Sequence, residues 1–156
     1  FGIPKERTEE AVQVFRSRYI PIGKFENKPY PGIPEMLEAL KKRGYHLYLA
    51  TSKPEETAVE IMDHFDLSKY FDLLCGAAME GGRNSKEDVI AYLLQKAGRD
   101  GEKTMVGDTK YDVLGASAHG IPTIGVSWGY GDVAEMRSAG AKAIISTPQE
   151  LLDLLP

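Results

Sequence analysis

Short apolar runs alternate with amphipathic stretches along almost the whole chain, and this alternation restricts the fold more than any other feature. The runs "YHLYLATS" (45–52), "FDLLCGA" (71–77), "KTMVGD" (103–108), "IPTIGVS" (121–127) and "KAIIS" (142–146) have the length and composition of strands. Between them lie helical patterns: "PEETAVEIMDHF", a segment from Ser85 through "KEDVIAYLLQKAG", a segment from Lys110 through Ala116, "GDVAEMRSAG" and finally "PQELLDLL". Parallel strands need crossover connections, and helices supply them, so this order predicts an α/β fold with a Rossmann-like, three-layer parallel sheet. Upstream, "RTEEAVQVFRSRYI" predicts an amphipathic helix with Thr8 as its N-cap. The following "PIGKFENKPYPGIP" holds four prolines and two glycines, so it reads as a linker. A further helix is expected in "IPEMLEALKKRG".

In an open parallel sheet the ligand site gathers outside the carboxyl ends of the strands. Two strands end in chemistry. "YLATSKP" delivers Thr51 and Ser52, whose hydroxyls suit phosphate oxygens at a strand-to-helix turn. "MVGDTKYD" delivers Asp108 at a strand end and Asp112 in the first turn of the next helix. Two carboxylates this close repel unless a positive group lies near them, and magnesium, which often takes only one or two carboxylates, is the cofactor expected there. Lys86 opens a helix whose Ser85 and Asp88 form a capping-box pattern. A lysine is slightly unfavourable at that end of the helix dipole, which a functional use would explain. Singly, each has a plainer reading: Thr51 and Ser52 as caps, Lys86 as a solvated lysine, Asp108 and Asp112 as turn and helix-start residues. It is their order along alternating strands that points to phosphate chemistry.

The balance of charge excludes other classes. A formal net charge of −4 argues against a nucleic-acid surface, and no apolar run approaches bilayer length, so neither nucleic acid nor a membrane is expected as a partner. The lone Cys75, in an apolar segment, reads as a buried thiol in a reducing compartment, and a cytoplasmic location is expected.

The segments "YPGIPEMLEALKKRGYHLYLATSKP", "SKED" and "GDTKYD" together resemble the haloacid dehalogenase superfamily, in its phosphoglycolate phosphatase branch. The resemblance implies a magnesium-dependent phosphatase of a small phosphorylated metabolite. It implies that Thr51 and Ser52 contact the phosphoryl group, with Thr51 and Lys86 as catalytic residues. Lys86 would steady the nucleophile and the phosphate charge, and Asp108 and Asp112 would serve the metal, Asp112 often through water. "SKED" departs from the commoner Lys-Pro form of the third motif.

The family's first strand ends in D-x-D-G-T, whose two aspartates act as nucleophile and as general acid and base; this chain contains no D-x-D. The chain also begins at Phe1 rather than methionine, so a longer parent is expected. Residues 1–29 are then expected to be part of a helical cap and 30–156 an α/β core lacking its first, central strand. Residues 1–156 alone are expected to be inactive. The alternatives are another phosphoryl-transfer enzyme (nucleotidase, pyrophosphatase or sugar-phosphate mutase) and a catalytically dead binding module. A phosphorelay receiver would place its acidic residues first, and a dinucleotide-binding enzyme would carry G-x-G-x-x-G after an N-terminal strand; neither pattern occurs.

Overall fold

A computed structural model of the chain describes residues 4–78, 81–98 and 100–155. Helix α1 (Thr8–Tyr19) leads through a short 3-10 turn at Gly23–Phe25 to α2 (Ile33–Lys42). Then follow β1 (Tyr48–Pro54), α3 (Glu55–His64), β2 (Leu73–Ala77), α4 (Lys86–Ala97), β3 (Met105–Gly107) and α5 (Lys110–Ser117). The chain continues through β4 (Thr123–Val126), α6 (Val133–Ser138), β5 (Ala143–Ile145) and α7 (Pro148–Leu154). The alternation read from the sequence is therefore the observed order.

All pairings are parallel, but the strands form two sheets rather than one continuous layer. β1 pairs with β2, and β3, β4 and β5 pair in that order. β1 starts at Tyr48, later than the expected Tyr45, because pairing begins where Tyr48 meets Leu73. α4 joins the two sheets: it packs against β1, β2 and α5, while α5 packs against β3 and β4. One side of α4 buries Val89 and Leu93 against Cys75 of β2, and another buries Ile90 and Leu94 against Ala116 of α5. Val89 is wholly buried, a contribution of roughly 1.5–3 kcal/mol from one side chain. The largest core cluster lies on the other sheet, where Met36, Leu37 and Leu40 of α2 and Leu151 of α7 meet Ile124, Val126 and Ile145. Cys75 is buried as expected, and burial pushes its thiol pKa up.

α1 stands apart from this core. It has no buried residue, and Val14 and Phe15 are exposed. Thr8 is not its cap: the 3-10 turn Lys5–Arg7 runs directly into the helix, Arg7 takes the cap position, and no side-chain cap bond forms. The linker fastens to α3 instead. Lys24 is 6% exposed and ion-paired with Glu60, and the Phe25 ring lies 4.5 Å from that of His64.

Candidate active site

Both strand ends singled out in the sequence open into one cavity of about 690 Å³, lined by Thr51, Ser52, Lys86, Asp108 and Asp112 among others. Each residue reaches it for a local reason. Thr51 and Ser52 lie in the last part of β1, and the backbone N–H of Lys53 donates to Thr51 Oγ1 at 3.2 Å. With its oxygen already accepting, the Thr51 hydroxyl proton is left to donate. The helix cap expected of these hydroxyls does not form: Pro54 occupies the N-cap of α3 without a side-chain bond.

Lys86 is fixed by a complete capping box at the start of α4. The Ser85 hydroxyl oxygen accepts from the Asp88 N–H at 3.1 Å, and Asp88 Oδ2 accepts from the Ser85 N–H at 3.0 Å. From there the Lys86 ammonium donates to the Ala50 carbonyl oxygen and pairs with Asp112 Oδ1, both at 2.8 Å. Lys86 is therefore not a solvated surface residue; its side chain is 14% exposed and that of Asp112 is 5% exposed. The approach of α4 to α5 requires Gly115, where an added Cβ would lie 2.8 Å from Lys86 Cγ and 3.1 Å from the Glu87 nitrogen.

Asp112 also holds the start of its own helix, as Oδ2 accepts from both the N–H and the hydroxyl of Thr109 at 2.9 Å. Both of its oxygens are thus engaged. Asp108 differs: Oδ2 accepts from the Tyr130 N–H at 2.9 Å, and its other oxygen makes no hydrogen bond among the described residues. The loop supplying that N–H, "WGYGD", was not singled out from the sequence. It closes over Asp108 only because positions 129 and 131 are both glycine, since an added Cβ would clash with the Asp108 side chain at 129 and with the Asp108 carbonyl oxygen at 131. The two glycines flanking Tyr130 were the available signal.

The donor set suits a hard divalent ion with few protein ligands. No group of three or more His, Cys, Asp or Glu converges among the described residues, so an all-protein cage is not formed. Magnesium commonly uses one or two carboxylates and leaves its remaining positions to water and phosphate. The open oxygen of Asp108 fits direct ligation, and the engaged oxygens of Asp112 fit contact through water.

Fold and site together define a class: a doubly wound α/β protein with hydroxyls, an ammonium and two carboxylates gathered at the carboxyl ends of parallel strands. Residues 3–126 match the model of the "Haloacid dehalogenase-like hydrolase" family, and the chain belongs to that family. A 5'-nucleotidase of Pseudomonas aeruginosa is 42% identical over 88% of the chain and 63% of its own length. The tyrosine-protein kinase PtkA of Mycobacterium tuberculosis is 39% identical over 96% of the chain and 53% of its own length. A phosphoglycolate phosphatase of Aquifex aeolicus is 35% identical over 94% of the chain and 68% of its own length. Among solved structures, a haloacid dehalogenase-like hydrolase from Streptococcus pneumoniae superimposes with a TM-score of 0.91 at 33% identity, covering 98% of this chain and 72% of that one. The chain thus spans roughly half to two thirds of the length of these curated relatives. No helix among the described residues is long and apolar enough to cross a membrane.

Proposed function

We propose that this chain carries the phosphate- and metal-binding part of a magnesium-dependent phosphomonoester hydrolase acting on a small phosphorylated metabolite, of the phosphoglycolate phosphatase type. The observation that carries this reading is the Lys86–Asp112 pair at 2.8 Å in a cavity shared with Thr51, Ser52 and Asp108. On this reading the hydroxyls of Thr51 and Ser52 donate to the oxygens of the transferring phosphoryl group. The Lys86 ammonium faces the same oxygens and offsets the charge that builds on them in the transition state. Asp112 holds Lys86 in place for that task, and the Tyr130 N–H orients Asp108. Magnesium, when bound at Asp108 and Asp112, supplies Lewis-acid stabilisation of the phosphoryl oxygens.

Neither carboxylate is free to be the nucleophile, because removing Asp108 from the metal would dismantle the site it positions. The attacking carboxylate and the general acid belong, on this reading, to a D-x-D strand seated between β1 and β3. Two features support that placement. β1 and β3 belong to different sheets, and Lys86 of the helix spanning them reaches both the Ala50 carbonyl on β1 and Asp112 beyond β3. Residues 30–156 then form the core, and the described part of 1–29, α1 with its turn, forms part of a cap; residues 1–3, 79, 80, 99 and 156 lie outside the described residues.

The test is release of phosphate from 2-phosphoglycolate, a 5'-nucleotide and p-nitrophenyl phosphate, with magnesium, by residues 1–156 and by the same chain extended with a D-x-D strand. Expected is turnover by the extended chain only, with 2-phosphoglycolate preferred. Preference for the nucleotide would favour the nucleotidase reading. Absence of turnover by the extended chain on all three, with phosphate still bound, would favour a binding module.

A further inference from the structure

Arg83 lies three residues before Lys86, outside the cavity lining, and the function proposed above makes no use of it. Its surroundings are nevertheless specific. Arg83 Nη2 lies 3.0 Å from Glu55 Oε2, and the same carboxylate oxygen accepts from the Gly76 N–H at 3.1 Å. Glu55 opens α3 immediately after the Thr51–Pro54 stretch of β1, and Gly76 lies in β2. The guanidinium carbon lies 3.8 Å from the centroid of the Tyr92 ring, on α4. The Arg83 backbone carbonyl also accepts from the Ala78 N–H at 3.0 Å, closing the loop that leads from β2 to α4.

One side chain therefore connects the element that presents the hydroxyls to the element that presents the lysine. The hydroxyl turn is itself pressed onto β2: a Cβ at position 76 would lie 2.6 Å from both Glu55 Cα and the Lys53 carbonyl oxygen. An ordinary surface ion pair holds nothing in place and contributes little. This pair is different, since its side chains are only 18% and 30% exposed, its carboxylate is held by a backbone amide, and its guanidinium is held by a ring. Both partners are oriented independently of each other, so little side-chain entropy remains to be lost in pairing them.

We propose that Arg83 is a positioning residue, whose pair with Glu55 sets the separation between the Thr51–Ser52 turn and Lys86. The proposal rests on the reading of those three residues as a phosphate site, and its test separates the two. Spin labels at Glu56 and Glu87, both exposed, report the α3-to-α4 distance without any ligand; Cys75, being 1% exposed, stays unlabelled. Arg83→Met is expected to broaden that distance distribution, Arg83→Lys to broaden it less because the charge is retained, and Glu55→Gln to resemble the lysine variant. In parallel, affinity for inorganic phosphate with magnesium is expected to fall on the order of tenfold in Arg83→Met, a coupling well within what contacting residues show. In a Lys86→Met background the same substitution is expected to change phosphate affinity no further, which a merely destabilising residue would not reproduce. An unchanged distance distribution in folded Arg83→Met or Arg83→Lys overturns the proposal, as does a full additional loss in the Lys86→Met background. Failure of the unsubstituted chain to bind phosphate counts against the phosphate site alone, and the distance measurement then decides the role of Arg83.

Discussion

The Lys86 ammonium is 2.8 Å from Asp112 Oδ1 and 2.8 Å from the Ala50 carbonyl oxygen, so a single charge ties the start of α4 to β1 and to α5. β1 belongs to one sheet and α5 packs against β3 and β4 of the other, so the contact crosses between the two. Lys86 therefore has a structural role whatever its part in catalysis.

Lys86→Met should accordingly destabilise the fold as well as weaken phosphate binding. It leaves the Asp112 carboxylate, 5% exposed, without its counter-charge, at a cost of roughly 3 kcal/mol, the low end for breaking a buried pair. Adding Asp112→Asn should recover a large part of that loss, because the uncompensated charge is then gone. Urea denaturation of the unsubstituted chain and of these two variants measures this. Equal destabilisation of the single and double variants would show that the charge of Asp112 is not what Lys86 balances.

Gly115→Ala tests the same junction from the other side. The added methyl meets the Lys86 side chain at 2.8 Å and the Glu87 backbone nitrogen at 3.1 Å. The backbone contact cannot rotate away, so α4 must shift relative to α5, and overpacking of this kind costs about 1–3 kcal/mol. The helix propensity gained over glycine offsets up to about 1 kcal/mol of it. A thermal midpoint at or above that of the unsubstituted chain would mean that the two helices separate without cost.

What the sequence made legible was local. Thr51 and Asp108 could be placed because an apolar run followed by a polar turn reads as a strand end, and Lys86 because Ser85 and Asp88 mark a helix start within four residues. What it hid depended on distant partners. Tyr45 has the composition of a strand residue, yet pairing begins at Tyr48, where Leu73 of β2 provides a neighbour. Thr8 has the chemistry of a cap, but the preceding turn already delivers the chain in helical geometry. The Tyr130 amide that holds Asp108 lies 22 residues away, and the Glu55 partner of Arg83 lies 28 residues away. No periodicity encodes such pairs. The runs themselves did not reveal which strands pair, since all five look alike and their spacing says nothing of which edges meet; the expectation of a core lacking its central strand came from the family resemblance alone.

The Asp88 cap makes the start of α4 sensitive to acid. Hydrogen bonds from the Ser85 hydroxyl and then the Ser85 N–H hold the Asp88 carboxyl below its ordinary value. A carboxylate with a depressed folded pKa contributes stability above its unfolded value, near 3.9, and that contribution is lost as pH falls through the folded value. The amides of Ser85 and Asp88 should therefore exchange faster with solvent, relative to amides in the middle of α4, as pH drops below about 4. Asp88→Asn should remove this pH dependence while leaving the Ser85 cap of the Asp88 amide in place. Proton-exchange measurements by NMR across that range decide the matter; a start of α4 equally protected at pH 5 and pH 2.5 would contradict the assignment.

Asp108→Asn separates metal binding from folding more cleanly than any other substitution at this site. The asparagine carbonyl oxygen can still accept the Tyr130 N–H that now reaches Asp108 Oδ2 at 2.9 Å, so the loop over the site keeps its anchor. No lysine or arginine pairs with Asp108 among the described residues, which means that losing its charge breaks no ion pair, in contrast to Asp112. The thermal midpoint without magnesium should therefore be nearly unchanged. On the proposed reading, however, magnesium would take its protein ligands from Asp108 and Asp112, of which only Asp108 has an oxygen left open, so neutralising it would remove the charged direct ligand. Calorimetric titration should show magnesium affinity falling by at least tenfold, about 1.4 kcal/mol, and the rise in thermal midpoint expected of the unsubstituted chain with magnesium should vanish in the variant. Because magnesium stabilises only the state that binds it, the two measurements must move together. An unchanged affinity in a folded Asp108→Asn variant would place the metal elsewhere and leave Asp108 as the residue that anchors the loop at Tyr130.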